Sequence, residues 1–150
     1  MRDRKLLLVE DDPQDEALTL RALKKAGVCN CIDVVRDGQQ ALDYLFGEGE
    51  FSHRADQSLP AVVLLDIGLP RVSGLDVLAR LRNNDRTRLL PVVVLTSSDE
   101  PEDLLRSYRS GANSYVRKPV AFAEFASTVA QLGVYWMATN EPGHEVDHAS

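Results

Sequence analysis

The chain has 150 residues, of which 44% are hydrophobic and 27% charged, and this composition is typical of one globular domain. Its 17 Lys and Arg residues against 23 Asp and Glu residues give a net charge of −6. We therefore expect no nucleic-acid partner, because phosphate binding needs clustered cations. No apolar run approaches the roughly 18 residues of a membrane span. We also expect no room for a second catalytic or output domain.

Short apolar runs alternate with longer amphipathic segments, and each apolar run has the length of a strand buried on both faces. Strands are predicted at 6–9, 31–35, 61–65, 91–95 and 114–116. Helices are predicted at 15–26, 41–46, 75–81, 100–110 and 120–137. This alternation predicts one α/β domain over residues 5–137, with a parallel sheet covered on both faces.

Three features lie outside that alternation. The connection 47–60 is longer than usual for a compact domain. The stretch 138–150 is acidic and lacks periodicity, and we expect it to be a flexible tail. Cys29 and Cys31 are two residues apart on a predicted strand edge, and we interpret them as small buried groups in a reducing, cytoplasmic compartment.

Polar side chains follow four of the predicted strands, at the sheet edge where doubly wound folds bind ligands. In chain order these groups are Glu10, Asp11 and Asp12, then Asp66, then Thr96, Ser97 and Ser98, and finally Arg117 and Lys118. Each one alone fits a solvated loop residue. Their repeated occurrence at strand ends predicts a single site.

The chemistry that these groups suit is phosphoryl transfer to a carboxylate. Clustered carboxylates repel one another, and a hard cation such as Mg²⁺ relieves that repulsion while also binding phosphate oxygens. Asp66 is the candidate nucleophile and would form an aspartyl phosphate. Lys118 would place a positive charge on one phosphoryl oxygen, and Thr96 would donate a hydrogen bond to another.

With these residues in place, the sequence resembles the receiver domain of two-component response regulators. The matching segments are LLVEDD at 7–12, LDIGLP at 65–70, GL at 74–75, VLTS at 94–97, GANSY at 111–115 and KP at 118–119. Each segment alone is a weak signal, whereas their order and spacing together are specific. The resemblance implies a flavodoxin-like (βα)5 fold with strand order 2-1-3-4-5. It also implies that Asp66 accepts a phosphoryl group from a phosphohistidine on a sensor histidine kinase.

The resemblance also assigns roles within the site. Glu10 and Asp11 match the acidic pair that binds Mg²⁺ together with Asp66, and the backbone carbonyl of Gly68 matches a further protein ligand. Asp12 is expected nearer the start of the first helix than the metal. Thr96 and Tyr115 match a pair that rearranges on phosphorylation.

A narrower resemblance points to the small regulators paired with bacterial phytochrome kinases. The features that carry it are the long loop before Ala61, the run 91–98, the pair Ser107-Tyr108 and the closing pair Tyr135-Trp136. It implies a bacteriophytochrome kinase as the phosphodonor and a homodimer. Because the predicted domain takes up nearly all of the 150 residues, we expect the output to be carried by a separate downstream protein.

The predicted fifth helix is a candidate interface. Phe122, Phe125, Val129, Leu132 and Trp136 follow one another at spacings of three and four residues, a heptad-like seam. Tyr135 and Trp136 either cover the edge of the core or form an exposed aromatic patch for self-association.

Two other functions remain alternatives. An adaptor that works without phosphorylation would be expected to lack Asp66, Lys118 or the acidic pair, and all are present. An aspartyl-phosphate phosphatase of the haloacid dehalogenase type needs a second acid two residues after its nucleophile, where this chain has Gly68. Because Gly68 has no side chain to shield or orient water, the lifetime of the phosphorylated state is predicted to depend partly on that gap.

Overall fold

The computed structural model describes residues 5–27, 32–54, 59–97 and 100–117, together with 127–128, 130–131 and 135–136. The strands are β1 (Leu6–Val9), β2 (Ile32–Val35), β3 (Val62–Leu65), β4 (Val92–Thr96) and β5 (Ser114–Arg117). The helices are α1 (Pro13–Lys25), α2 (Gly38–Phe46), α3 (Gly74–Arg82) and α4 (Pro101–Arg109), with a 3-10 helix at Gly49–Arg54. Residues 127, 128, 130 and 131 are helical as well.

All described strands are parallel and form one sheet in the order β2-β1-β3-β4-β5. This order confirms the flavodoxin-like arrangement that the sequence resemblance implied. Because every strand runs in the same direction, the carboxyl ends of all five meet at one edge of the sheet.

The apolar strands supply a core on each face of the sheet. Successive side chains of β1 alternate between these cores, since side chains along a strand point to opposite faces. Leu7 and Val9 belong to the core beneath α2 and α3, and Leu6 and Leu8 belong to the core beneath α1. Burial on both faces explains why β1 and β3 are uninterrupted apolar runs.

Helix α1 begins two residues before the predicted start. Asp12 caps it, accepting hydrogen bonds from the backbone N–H groups of Gln14 (2.8 Å) and Asp15 (3.2 Å). Pro13 occupies the first helical position, where its missing N–H costs nothing. Asp12 therefore serves the helix, as the sequence predicted, and such a cap stabilises a helix by about 1 kcal/mol.

Several expectations lie outside the described residues. These are the acidic tail 138–150, both cysteines, Ser98, the Lys118-Pro119 segment, and the seam residues Phe122, Phe125, Val129 and Leu132. Within the part of the chain that the structure describes, no helix is both long and apolar enough to cross a membrane.

Candidate phosphoryl-transfer site

Three carboxylates converge at the carboxyl edge of the sheet. Glu10 directly follows β1 and Asp66 directly follows β3, and the Asp66 backbone N–H donates to the Val9 carbonyl at 3.1 Å. One oxygen from each of Glu10, Asp11 and Asp66 lies within 4.8 Å of the others. Because β1 and β3 are neighbours in the sheet, carboxylates more than 50 positions apart in sequence lie close together.

The environments of the three acids differ. Glu10 is only 2% exposed, Asp66 is half-buried and Asp11 is exposed. The Glu10 carboxylate accepts a hydrogen bond from the Asp12 backbone N–H at 3.2 Å. Burying a carboxylate beside two others is unfavourable without compensating positive charge. These oxygen donors fit a hard divalent cation such as Mg²⁺.

The loop after β3 orients the Asp66 side chain. The backbone N–H of Gly68 donates to Asp66 Oδ1 at 3.0 Å. Gly74, at the start of α3, packs directly against this loop. A Cβ atom at position 74 would lie 2.4 Å from the Asp66 carbonyl oxygen and 2.5 Å from Ile67 Cα. Only glycine permits this approach, which fixes the start of α3 against the loop that follows Asp66.

The same loop is tied to the start of α2. Arg71 adopts a left-handed conformation with φ of 67°, which is uncommon for a residue with a side chain. Its guanidinium forms an ion pair with Asp37 Oδ1 at 3.3 Å, and Asp37 also caps α2. The Gly38 backbone N–H donates to the Pro70 carbonyl at 3.4 Å. Contacts to α2 therefore hold the loop that carries Asp66.

Thr96 and Tyr115 lie on the same face of the sheet. Tyr115 on β5 pairs with Val94 on β4, and Thr96 is two residues beyond Val94. The Thr96 side chain is buried, while Tyr115 is half-buried and packs against the core beneath α2 and α3. The two predicted switch residues are thus diagonal neighbours on adjacent strands.

An open cleft of about 480 Å³ lies beside Asp66 and reaches helix α4, and we refer to it as the α4 cleft. The residues that line it are Asp66, Ile67, Gly68, Ser73, Leu75, Thr96, Ser97, Asp103 and Arg106. The sequence patterns did not predict Ser73, Asp103 or Arg106 at this site. Asp103 and Arg106 show the helical spacing of three, but only the packing of α4 against the sheet brings that face to Asp66.

The remaining predicted residues are placed as follows. Lys118 lies outside the described residues and keeps its predicted role. Tyr135 is exposed, and its ring contacts Trp136 edge to face with centroids 5.0 Å apart. Trp136 packs against the core beneath α1.

Comparison with known proteins identifies the family. Residues 6–130 match the model described as response regulator receiver domain. The chain belongs to this family, as the motifs in the sequence indicated.

The similar proteins include regulators linked to phytochromes. The solved structure of the bacteriophytochrome response regulator RtBRR is 50% identical, with a TM-score of 0.76, and the alignment covers 94% of this chain and 84% of that one. The phosphorylated cyanobacterial phytochrome response regulator RcpA has a TM-score of 0.86 at 32% identity, covering 95% and 99%. A probable methanogenesis regulatory protein, FilR2 of Methanothrix harundinacea (strain 6Ac), is 41% identical over 139 residues, covering 92% and 87%.

Proposed function

We propose that this protein is a phosphoacceptor whose Asp66 receives a phosphoryl group from the phosphohistidine of a sensor histidine kinase. The observation that carries this proposal is the convergence of the Glu10, Asp11 and Asp66 carboxylates at the carboxyl edge of the sheet. The alternatives explain this convergence less well. An adaptor needs no clustered carboxylates, and a phosphatase needs a second acid at position 68.

In the proposed reaction an Asp66 carboxylate oxygen attacks phosphorus. The new O–P bond forms as the P–N bond to histidine breaks, and the imidazole departs with the bonding electron pair. Glu10, Asp11, Asp66 and the Gly68 carbonyl would hold Mg²⁺, which when bound neutralises charge on the phosphoryl oxygens. The Thr96 hydroxyl, which lines the same cleft as Asp66, would donate to one of those oxygens.

Lys118 would contribute a positive charge to another phosphoryl oxygen. After transfer, we propose that Thr96 shifts toward the phosphoryl group and that Tyr115 moves inward to occupy the vacated space. Their positions on one face of the sheet, two residues apart in register, support this coupling.

For the partners, we propose a kinase of the bacteriophytochrome class, because the family match is accompanied by 50% identity to a bacteriophytochrome response regulator. We further propose that the protein acts as a homodimer and signals to a separate downstream protein. Phe122 and Phe125 stay candidate interface residues, and a cytoplasmic location remains a prediction.

Intact-mass measurement after incubation with Mg²⁺ and phosphoramidate tests the phosphoacceptor function. We expect one added phosphoryl group, lost in Asp66→Asn and when Mg²⁺ is chelated. Asp76→Asn, at an exposed position in the first turn of α3, is the matched control and should be labelled normally. Failure of the native chain to become labelled would favour an adaptor. Continuous phosphate release at enzymatic rates would favour a phosphatase.

A further inference from the structure

Arg106 introduces a positive charge into the α4 cleft. Among the described residues that line this cleft, Arg106 is the one cation. The other polar side chains are the acids Asp66 and Asp103 and the hydroxyls of Ser73, Thr96 and Ser97. Because Arg106 and Asp66 line the same open cleft, the Arg106 guanidinium can bind an anionic group of a phosphodonor that approaches Asp66.

The orientation of α4 explains why Arg106 lines the cleft. Ser107 is the buried residue of this helix, and its hydroxyl donates to the Asp103 carbonyl at 2.8 Å. The apolar side chains are on the other side, with Leu104 38%, Leu105 53% and Tyr108 49% exposed. Ser107 and the half-buried Asp103 therefore face inward, and the exposed Arg106 lies beside them at the open side of the cleft.

The carboxyl end of α4 is well anchored. The Ala112 backbone N–H donates to the Ser107 carbonyl at 2.9 Å. The Arg82 side chain donates to the Gly111 carbonyl, also at 2.9 Å. Because Arg106 lies in the last turn of the helix, these contacts hold its backbone in a defined position beside the cleft.

We propose that Arg106 determines which small phosphodonors react with Asp66, by stabilising a carboxylate leaving group. This inference rests on the proposed function of Asp66. With an acyl phosphate, Asp66 attacks phosphorus, the bridging P–O bond breaks, and the carboxylate leaves with the electron pair and a negative charge. Arg106 interacts with that charge as it develops, so its contribution is greater in the transition state than in the bound donor.

A donor with a P–N bond releases a neutral leaving group, so no negative charge on that group needs to be stabilised. Phosphoramidate carries its proton on nitrogen, so cleavage of the P–N bond releases neutral ammonia. Protonated phosphohistidine likewise releases neutral imidazole. Arg106 therefore favours acyl phosphates over P–N donors, and the ratio of the two rates reports its contribution.

The test compares labelling rates with acetyl phosphate and phosphoramidate, at fixed Mg²⁺ and ionic strength, for native protein, Arg106→Gln and Arg109→Gln. Arg109 is the matched control, since both arginines are exposed on the same helix and only Arg106 lines the cleft. We expect Arg106→Gln to slow labelling by acetyl phosphate about five- to tenfold, the effect of one charge-assisted hydrogen bond in the transition state. The phosphoramidate rate should stay within about twofold, and Arg109→Gln should resemble the native protein for both donors.

A structural role for Arg106 would slow both donors equally, and an unchanged ratio of rates would overturn the inference. Labelling of the native protein by phosphoramidate but not by acetyl phosphate would overturn it too, while leaving the phosphoacceptor function intact. Labelling by neither donor would refute the phosphoacceptor function and this inference with it.

Discussion

Gly68 places no side chain beside the Asp66 carboxylate. Among the residues that the structure describes, the one non-adjacent neighbour within 4 Å of a Cβ atom built at position 68 would be Asp66 Oδ1, 3.7 Å away. That separation is an ordinary van der Waals contact, so the loop has space for a larger side chain without moving. Such a side chain would extend beside the carboxylate that is proposed to accept the phosphoryl group. Water that hydrolyses an aspartyl phosphate must reach the same region.

Gly68→Leu is therefore predicted to prolong the phosphorylated state. A leucine at this position excludes water from one side of the phosphoryl group, and we expect dephosphorylation to slow about three- to tenfold, a barrier increase of about 1 kcal/mol. The decay of the phosphorylated mass after removal of phosphoramidate measures this rate. Gly68→Ala is the control for backbone effects and should change the rate by less than about twofold. An identical decay for Gly68→Leu and native protein would rule out shielding at this position.

At the scale of single residues, the sequence predicted that Asp66 lies beside the acidic pair, but it did not predict that Arg106 lies in the same cleft. Glu10 and Asp66 directly follow apolar strands, and adjacent parallel strands end at one edge of the sheet. The apolar runs and this topology rule are therefore enough to predict that the two carboxylates lie close together. Arg106 belongs to a helix whose apolar residues face outward. Hydrophobic periodicity alone would have placed that helix with the opposite face toward the sheet.

Helix α3 is joined to two other elements through Arg82, in its last turn. The Arg82 guanidinium donates to the Gly111 carbonyl at 2.9 Å, to the Thr87 carbonyl at 3.3 Å and to Asn113 Oδ1 at 3.0 Å. Asn113 Oδ1 also accepts from the Val92 backbone N–H at 2.8 Å. Burial lowers the pKa of Arg82 from its usual value. One side chain thus links the end of α3, the start of β4 and the turn between α4 and β5.

Arg82→Lys is predicted to lower the free energy of unfolding by about 2 kcal/mol, although the charge is kept. A lysine ammonium cannot reproduce the planar fork that reaches three acceptors, so the partly buried carbonyls of Thr87 and Gly111 lose their donors. Urea denaturation followed by circular dichroism measures the change. Arg80→Lys, at an exposed position of the same helix, is the matched control and should stay within about 0.5 kcal/mol of the native protein. Equal midpoints for the two variants would show that the three hydrogen bonds contribute nothing net.

At the scale of elements, the sequence predicted the described strands to within one residue at each end. β1, β3 and β4 are almost wholly apolar and buried on both faces, whereas the edge strands β2 and β5 carry polar residues and are only partly buried. The 3-10 helix at Gly49–Arg54 was expected only as a long connection. Its Phe51 ring packs edge to face on Tyr44, with centroids 5.4 Å apart. This ring contact joins α2 to the segment that follows it, and the hydrophobic periodicity of the sequence does not predict such a contact.

The molecule as a whole exposes apolar side chains on α4 and at Tyr135. The two members of the closing aromatic pair differ in exposure. Trp136 packs against the core beneath α1, whereas Tyr135 is 48% exposed. Truncation of Trp136 would remove core contacts as well as any interface contact. Tyr135 is therefore the better residue for testing the proposed homodimer.

Tyr135→Glu is predicted to weaken the homodimer while leaving the fold intact. A buried interface aromatic contributes roughly 1.4–3 kcal/mol, and a carboxylate in its place must also be desolvated, so the dimer dissociation constant should rise at least about tenfold. Sedimentation velocity over a concentration series measures that constant. Leu89→Glu is the matched control. Leu89 is 45% exposed on the connection between α3 and β4, and its substitution introduces the same charge away from Tyr135 in the sequence. A native protein that sediments as a monomer throughout the series would refute the homodimer, whereas equal dissociation constants for native protein and Tyr135→Glu would exclude Tyr135 from its interface.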